Sequence, residues 1–78
     1  MLFDFEPVSV PTLTMEDVRF PLDILFISPM RDVIAIVHAL PGQRLIEGPR
    51  NTRWVLEVPG GYAARHGLRV GARLTIRS

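Results

Sequence analysis

The chain has 78 residues, which is enough for one small domain and too few for two. Its composition, 47% hydrophobic and 22% charged, is too apolar for a disordered chain, and without cysteine neither disulfides nor thiolate-bound metals can stabilise it. The formal net charge of +1 is far from that of domains that bind nucleic-acid backbones, so we expect no nucleic-acid partner.

Hydrophobic residues recur with a period of two, or in continuous runs, along most of the chain, and this pattern predicts strands. Residues 2–6 alternate phenylalanine with acidic side chains, which predicts a half-buried strand that ends at Pro7. A short second strand is expected at residues 13–15. Runs that are apolar on both faces, at residues 22–27 and 33–37, flank a proline-containing turn and predict a hairpin.

The second half of the chain begins with a loop. Residues 40–51 contain two prolines and two glycines, so they predict a long exposed loop with a short strand near Leu45 and Ile46. Alternation returns at residues 53–58 and predicts a strand. Three of its apolar side chains should share one face: Trp54, Leu56 and Val58.

The end of the chain predicts one helix and one more strand. Residues 62–66 tolerate helix, and Gly67 follows where a left-handed residue usually ends a helix, so we expect one or two helical turns there. Residues 73–77 predict a closing strand that directs Leu74 and Ile76 inward.

These elements predict a single small, mainly β domain over residues 1–78, built as a barrel or as a strongly twisted antiparallel or mixed sheet, with one short helix near residues 61–66. The strands at residues 22–27 and 33–37 need apolar cover on both faces, and a chain this short has little material for a second layer. A closed barrel, a second copy of the chain or a part of the protein outside this sequence would supply that cover. We therefore expect a homodimer.

No motif for catalysis or cofactor binding is present in the sequence. The two histidines, His38 and His66, lack the spacing of a metal site, and each suits an ordinary structural or surface role. The serines lie outside any nucleophile motif, and Gly60 and Gly61 lack the spacing of a phosphate-binding loop. We therefore predict no catalytic residue, no metal and no cofactor.

Two acidic residues, Asp23 and Glu57, interrupt apolar strands. A carboxylate in such a strand costs free energy unless it is hydrogen-bonded or paired. In one interpretation Asp23 accepts backbone N–H groups where the chain enters its strand after Pro21, and Glu57 pairs with an arginine such as Arg73. In the other, both carboxylates line one pocket and serve in acid–base chemistry or ligand binding.

Trp54, beside Arg53, also has two interpretations. It is the only tryptophan of the chain and suits a packing anchor in a small core. The pair could instead form a platform on which a ligand stacks.

Three motifs and their order are typical of one known family. Residues 1–5 read Met-Leu-Phe-Asp-Phe, residues 20–26 read Phe-Pro-Leu-Asp-Ile-Leu-Phe, and Leu56-Glu57 with Gly61 stands at the expected distance beyond them. In this order and spacing the chain resembles, over essentially all 78 residues, the domain of unknown function 192 family.

The resemblance implies a small, mainly β domain of bacteria and archaea, often exported, with no established activity. Family members usually have an aromatic-Met-basic-Asn-Thr segment before Pro-Leu-Asp, whereas here Thr14 and Glu16 flank Met15, which puts any site built on that segment in doubt. They also have a further portion before the Met-Leu-Phe motif, so we expect this chain to be the C-terminal two-thirds of the family domain. The first residues do not form a signal peptide and no apolar run is long enough for a transmembrane helix, so the chain as written is expected in the cytoplasm. It would be periplasmic or exported if a signal precedes it.

The first hypothesis for function is a non-catalytic module that binds a ligand or a partner. Its predicted site consists of Met15, Asp17, Asp23, Arg53, Trp54 and Glu57. The alternative is a minor hydrolase that uses Asp23 and Glu57 as an acid–base pair. A third, less favoured hypothesis is nucleic-acid binding through the arginines of the C-terminal segment, at positions 65, 69, 73 and 77.

Overall fold

The structure is a computed structural model that describes residues 1–76. Within this range the strands are β1 (Leu2–Ser9), β2 (Thr12–Leu13), β3 (Leu22–Ile27), β4 (Val33–Ala39), β5 (Ile46–Glu47) and β6 (Thr52–Pro59), and the helix is α1 (Tyr62–Arg65). Four strands form an antiparallel sheet in the order β1-β6-β3-β4, and β2 pairs with β5 in a separate two-stranded sheet. The predicted class, a mainly β domain with antiparallel pairing and one short helix, is confirmed.

The sheet is open, so the barrel alternative is wrong. Strands β1 and β4 are its two edges, and the central strands β6 and β3 separate them. Closure was one of three predicted ways to cover both faces of β3, and in the structure separate segments of the same chain cover each face.

The first face of the sheet, defined by Ile24, Phe26 and Val55, packs against the small β2–β5 sheet and its flanking loops. Met15 of a flanking loop and Ile46 of β5 belong to the same buried cluster. Met15 is 1% exposed, and its carbonyl accepts hydrogen bonds from the N–H groups of two other loop residues. This layer buries Ile24, Phe26 and Val55 of the central strands completely.

The second face, defined by Leu25, Ile27 and Trp54, packs against α1 and the segment that follows it. Ala63 of the helix is buried in this cluster, and several half-buried residues of the C-terminal segment pack against it: Leu68, Ala72, Leu74 and Ile76. The predicted face of β6 is confirmed, because Leu56 and Val58 lie with Trp54 in the same cluster. Both faces of β3 are therefore covered from within the chain, which removes one reason for expecting a homodimer.

Strand β1 continues through Pro7 to Ser9, so the expectation that Pro7 ends it is wrong. The strand lies at an edge of the sheet, where a proline removes no ladder hydrogen bond, and its register against β6 shifts between Asp4 and Ser9. The short strand expected at residues 13–15 is β2, one residue earlier, because Met15 instead enters the core.

The closing strand expected at residues 73–77 does not form within the described range. A single bridge joins Arg73 to Asp32, and Leu74 and Ile76 pack on the second face as predicted without a continuous ladder. Arg77 lies outside the described residues. The helix is confirmed at Tyr62–Arg65, and Gly67 has the expected positive φ of 66°.

Candidate functional site

A pocket of about 570 Å³ opens on the second face, where β3 ends. We call it the guanidinium pocket, because three arginines take part in its wall. Its lining residues are Leu2, Asp4, Pro29, Met30, Arg31, Arg53, Trp54, Arg73 and Ile76.

The turn after β3 supplies one wall of the guanidinium pocket. The Arg31 N–H donates to the Ser28 carbonyl at 2.9 Å, and the Met30 N–H donates to the Ser28 hydroxyl oxygen at 3.1 Å. The same hydroxyl is hydrogen-bonded to the Asp32 carboxylate. Because Ile27 stands opposite Trp54 in the sheet, this turn begins directly beside the tryptophan.

The C-terminal segment is hydrogen-bonded to the same turn. The Val33 N–H donates to the Ala72 carbonyl at 2.8 Å, and the Leu74 N–H donates to the Arg31 carbonyl at 2.8 Å. These two bonds flank Arg73 and hold it beside the turn. Arg31 and Arg73, distant in sequence, therefore line one pocket.

Arg31 has a φ of +71°, in the left-handed region that favours glycine. This conformation costs a residue with a side chain roughly 1–2 kcal/mol. A glycine at this position would form the same turn without that cost, so the fold alone does not account for an arginine here.

Arg53 is held by a network of its own. Its Nε donates to Asp4 Oδ1 at 3.0 Å and its Nη2 to Asp4 Oδ2 at 3.3 Å, and Nη2 also donates to Glu6 Oε2 at 2.8 Å. Its guanidinium lies over the Trp54 ring, 4.6 Å from the centroid. Two carboxylates thus hold Arg53 in place and more than offset its charge, so this arginine adds no free positive charge to the pocket.

The charge that remains in the guanidinium pocket comes from Arg31 and Arg73. Neither arginine has an ion-pair partner among residues 1–76, whereas Arg53 has Asp4 and Glu6. Three guanidinium groups of the lining stand against Asp4 and the neighbouring Glu6, which leaves a small positive balance. Such a pocket suits a ligand with negative charge.

Asp23 lies at the other end of β3, also on the second face. It is 4% exposed, accepts a hydrogen bond from the Ala63 N–H at 2.9 Å, and lies 2.7 Å from Nδ1 of His38 on the neighbouring strand. Burial acts to raise the pKa of Asp23, but hydrogen bonds from His38 and from the N–H groups of Ala63 and Gly61 outweigh it, so the pKa is lowered. We call this arrangement the carboxylate cluster.

The carboxylate cluster agrees with the structural interpretation of Asp23 and changes its details. The N–H groups come from the start of α1 and not from the entry of the strand. His38, also placed by the sequence in an ordinary structural role, is the second partner of the carboxylate and leaves its ring 57% exposed.

Asp23 and Glu57 do not form a pair. In the register of β3 and β6, Asp23 stands opposite Val58 and Glu57 stands opposite Ile24, so the two carboxylates project from opposite faces of the sheet. The hydrolase hypothesis needs both in one cleft, and this geometry overturns it. The alternative ion pair of Glu57 with Arg73 is also not formed, since Arg73 lies at the pocket on the second face.

The structure separates the six predicted site residues. Arg53 and Trp54 line the guanidinium pocket together, although Trp54 is also buried in the core and one side of its ring is covered by Arg53. Met15 lies in the core of the first face and Asp17 is exposed on a turn. The predicted site lacked both Arg31 and Arg73. Arg73 was considered only as a partner of Glu57 and as a contact to nucleic acid, and the positive φ that sets Arg31 apart is visible only in the structure.

Three further features of the described residues bear on possible functions. Among residues 1–76 no three histidine or acidic side chains come together as a metal site would require. The ring of His66 stacks on Tyr62 with centroids 4.1 Å apart. None of the helical structure in this range has the length and hydrophobicity that crossing a bilayer requires.

Comparison with known proteins gives a family and two structural neighbours. The model of the family DUF192, described as "Uncharacterized ACR", matches residues 1–76. A protein of unknown function from Novosphingobium aromaticivorans has a similar crystal structure, with a TM-score of 0.87 and 35% identity over 94% of this chain and 54% of its own. A Sinorhizobium meliloti protein, named "putative transcription regulator", matches with a TM-score of 0.86 and 32% identity over 94% of this chain and 58% of its own.

The chain therefore spans slightly more than half the length of these two proteins. A comparison with curated protein sequences found no match.

Proposed function

We propose a function on the premise that this chain belongs to the DUF192 family of uncharacterised proteins: it is a non-catalytic module that binds a small organic anion in the guanidinium pocket. The observation that supports it is the juxtaposition of Arg31 and Arg73, two guanidinium groups without a carboxylate partner among residues 1–76, in a pocket of about 570 Å³. Each group offers a planar set of donors that matches a carboxylate.

Arg31 and Arg73 bind the anion. Arg53, which lies over the Trp54 ring, forms part of the pocket wall. Arg53 already donates to Asp4 and Glu6, so a ligand would have to displace those carboxylates to engage it fully. The two remaining guanidinium groups are free of that competition. Binding should therefore depend on Arg31 and Arg73 more than on Arg53.

Nucleic acid is the other class of anion that the pocket could contact. The reason to consider it is the name of the Sinorhizobium meliloti protein, "putative transcription regulator". We favour the small anion because the chain has a formal charge of only +1 and the pocket wall includes Asp4. A phosphate backbone is bound by an extended basic surface, whereas this positive charge is confined to one pocket.

The test is a titration of the protein with acetate at constant ionic strength, in which calorimetry measures the affinity and thermal unfolding measures the stabilisation. A ligand that binds only the folded state raises the melting temperature. We expect saturable stabilisation of the wild type, and affinity about tenfold or more lower in Arg73→Gln, since a hydrogen bond to a charged group contributes roughly 1.5–3 kcal/mol.

Arg50→Gln is the matched control, because it removes the same charge from an exposed residue outside the pocket. It should bind acetate as the wild type does. Equal loss of affinity in both variants would show a general charge effect and would contradict the proposed pocket.

We also propose that the chain forms a homodimer. The support is now the two edge strands, β1 and β4, together with exposed apolar side chains on and near β1 that include Val8 and Val10. Light scattering on an eluting size-exclusion peak should give twice the mass of one chain, and the mass of a single chain would refute the dimer.

A further inference from the structure

We propose that the ligand of the guanidinium pocket is an aliphatic carboxylate, whose hydrocarbon chain lies in an apolar groove beside the pocket. This inference rests on the proposed function and names the chemical class of the ligand. It is carried by a second concavity of about 290 Å³ on the same face. The groove is lined by Leu2, Ile27, Leu56, Leu74, Thr75 and Ile76.

The groove and the pocket are continuous. Leu2 and Ile76 line both of them, so the two concavities meet at these side chains. Arg73 lies on the pocket side of this boundary and Leu74 on the groove side. A molecule that extends across the boundary would place one end among guanidinium groups and the other among aliphatic side chains.

The two concavities differ sharply in chemistry. Five of the six groove residues are aliphatic, and Thr75 supplies the single side-chain hydroxyl. Leu56, Leu74 and Ile76 already pack against the core of the second face, so the floor of the groove is part of that core. The part of the ligand in the groove should therefore be apolar, because a polar group there would find few partners.

The charged end should be a carboxylate with a single negative charge. The pocket wall already holds one such pair, in which Arg53 donates through two nitrogens to both oxygens of Asp4. Arg31 and Arg73 can form the same kind of contact with a ligand. The Asp4 carboxylate in the wall repels additional negative charge, which disfavours a dianion such as phosphate.

The experiment is a calorimetric titration with straight-chain carboxylates from acetate to decanoate, each below its micelle concentration and at one ionic strength. Affinity should rise along the series by about fourfold for each methylene that becomes fully buried, and then level off when the chain exceeds the groove. Octanol should bind at least about tenfold more weakly than octanoate, since it lacks the charge that the guanidinium groups recognise.

Two variants separate the groove from the pocket. Leu56→Asn changes a half-buried side chain that lines the groove and not the guanidinium pocket, and it should weaken octanoate several-fold while leaving acetate unchanged. Leu68→Asn makes the same change at another half-buried leucine, which packs against the same cluster and lines neither concavity, so it should affect neither ligand.

The outcomes distinguish this inference from the proposed function. Binding of acetate with no gain along the series, or with an equal effect of Leu56→Asn on both ligands, would overturn the aliphatic ligand and leave the anion pocket standing. Binding of inorganic phosphate more tightly than octanoate would do the same. No binding of any carboxylate or phosphate would overturn both.

Discussion

The two ends of strand β3 use charge in opposite ways, although both lie on the second face of the sheet. Near its start, the Asp23 carboxylate is 4% exposed and accepts hydrogen bonds from His38 and the start of α1. Near its end, about 13 Å along the strand, Arg31 and Arg73 line an open pocket and have no carboxylate partner among residues 1–76.

Charges that hold the fold and charges that can act on a ligand are therefore separated along β3. A buried carboxylate whose hydrogen bonds are all made within the chain stabilises the contact between α1 and the sheet and has nothing left to offer. A guanidinium group at an open pocket retains its donors. The sequence makes Asp23 the more conspicuous residue, whereas the geometry favours the arginines.

The largest change in the free energy of unfolding should come from removing the buried Asp23 carboxylate. Asp23→Ala leaves the Ala63 N–H and the neighbouring N–H groups of the helix start without their acceptor, so we expect a loss of roughly 2–3 kcal/mol in the free energy of unfolding. Urea denaturation measures this loss. Acetate binding by the folded fraction should be unchanged.

Asp17→Ala is the control for that experiment, because Asp17 is an exposed acid in a turn. Its free energy of unfolding should stay within about 0.5 kcal/mol of the wild type. If Asp17→Ala cost as much as Asp23→Ala, the special role of the carboxylate cluster would be refuted.

The pH dependence of stability tests the role of Asp23 a second time. Since the pKa of Asp23 is lowered in the folded state, its contribution to stability is present above the ordinary value of 3.8 and is lost as the pH falls through the folded-state pKa. The difference in unfolding free energy between the wild type and Asp23→Asn should therefore shrink on acidification. Urea denaturation at several pH values below neutrality measures it, and a difference that grew as the pH fell would contradict the sign of this shift.

In the turn that follows β3 we expect a smaller change in the free energy of unfolding, and of opposite sign. Arg31→Gly relieves the left-handed backbone and should raise the free energy of unfolding by about 0.5–1 kcal/mol, while it weakens acetate binding. A gain in stability together with a loss of binding is what an arginine retained for a ligand predicts.

Leu45→Gly gives the matched comparison, since Leu45 also has a positive φ, of 51°, and lines neither concavity. It should gain similar stability and bind acetate normally. If Arg31→Gly bound acetate as well as Leu45→Gly does, Arg31 would have no part in the site.

The sequence was sufficient for the central strands and insufficient for the end of β1, for the C-terminal segment and for the site. Alternation and double-sided apolar runs predicted β3, β4 and β6 closely, because those strands form the core that the pattern reports. The sequence did not show that the sheet is open, because the segments that cover its first face are far apart in the chain. Strand register decides that Asp23 and Glu57 lie on opposite faces, and it depends on tertiary pairing that composition does not encode.

The arginines illustrate the same limit. The excess of arginine in the second half of the chain was visible, but its distribution along the chain did not indicate which two would meet. Arg31 comes from the first half, and a backbone hydrogen bond from Leu74 to its carbonyl brings Arg73 beside it. Such a long-range contact has no local signature.

The most direct test of the account is a nuclear magnetic resonance titration that follows the side-chain Nε–Hε signals of the arginines as acetate is added at constant ionic strength. We predict that the signals of Arg31 and Arg73 shift together and saturate with one dissociation constant, while that of Arg53, already bonded to Asp4, moves little and that of Arg50 does not move. Small, non-saturating shifts shared by all arginines would contradict the claim that the guanidinium pocket is a binding site.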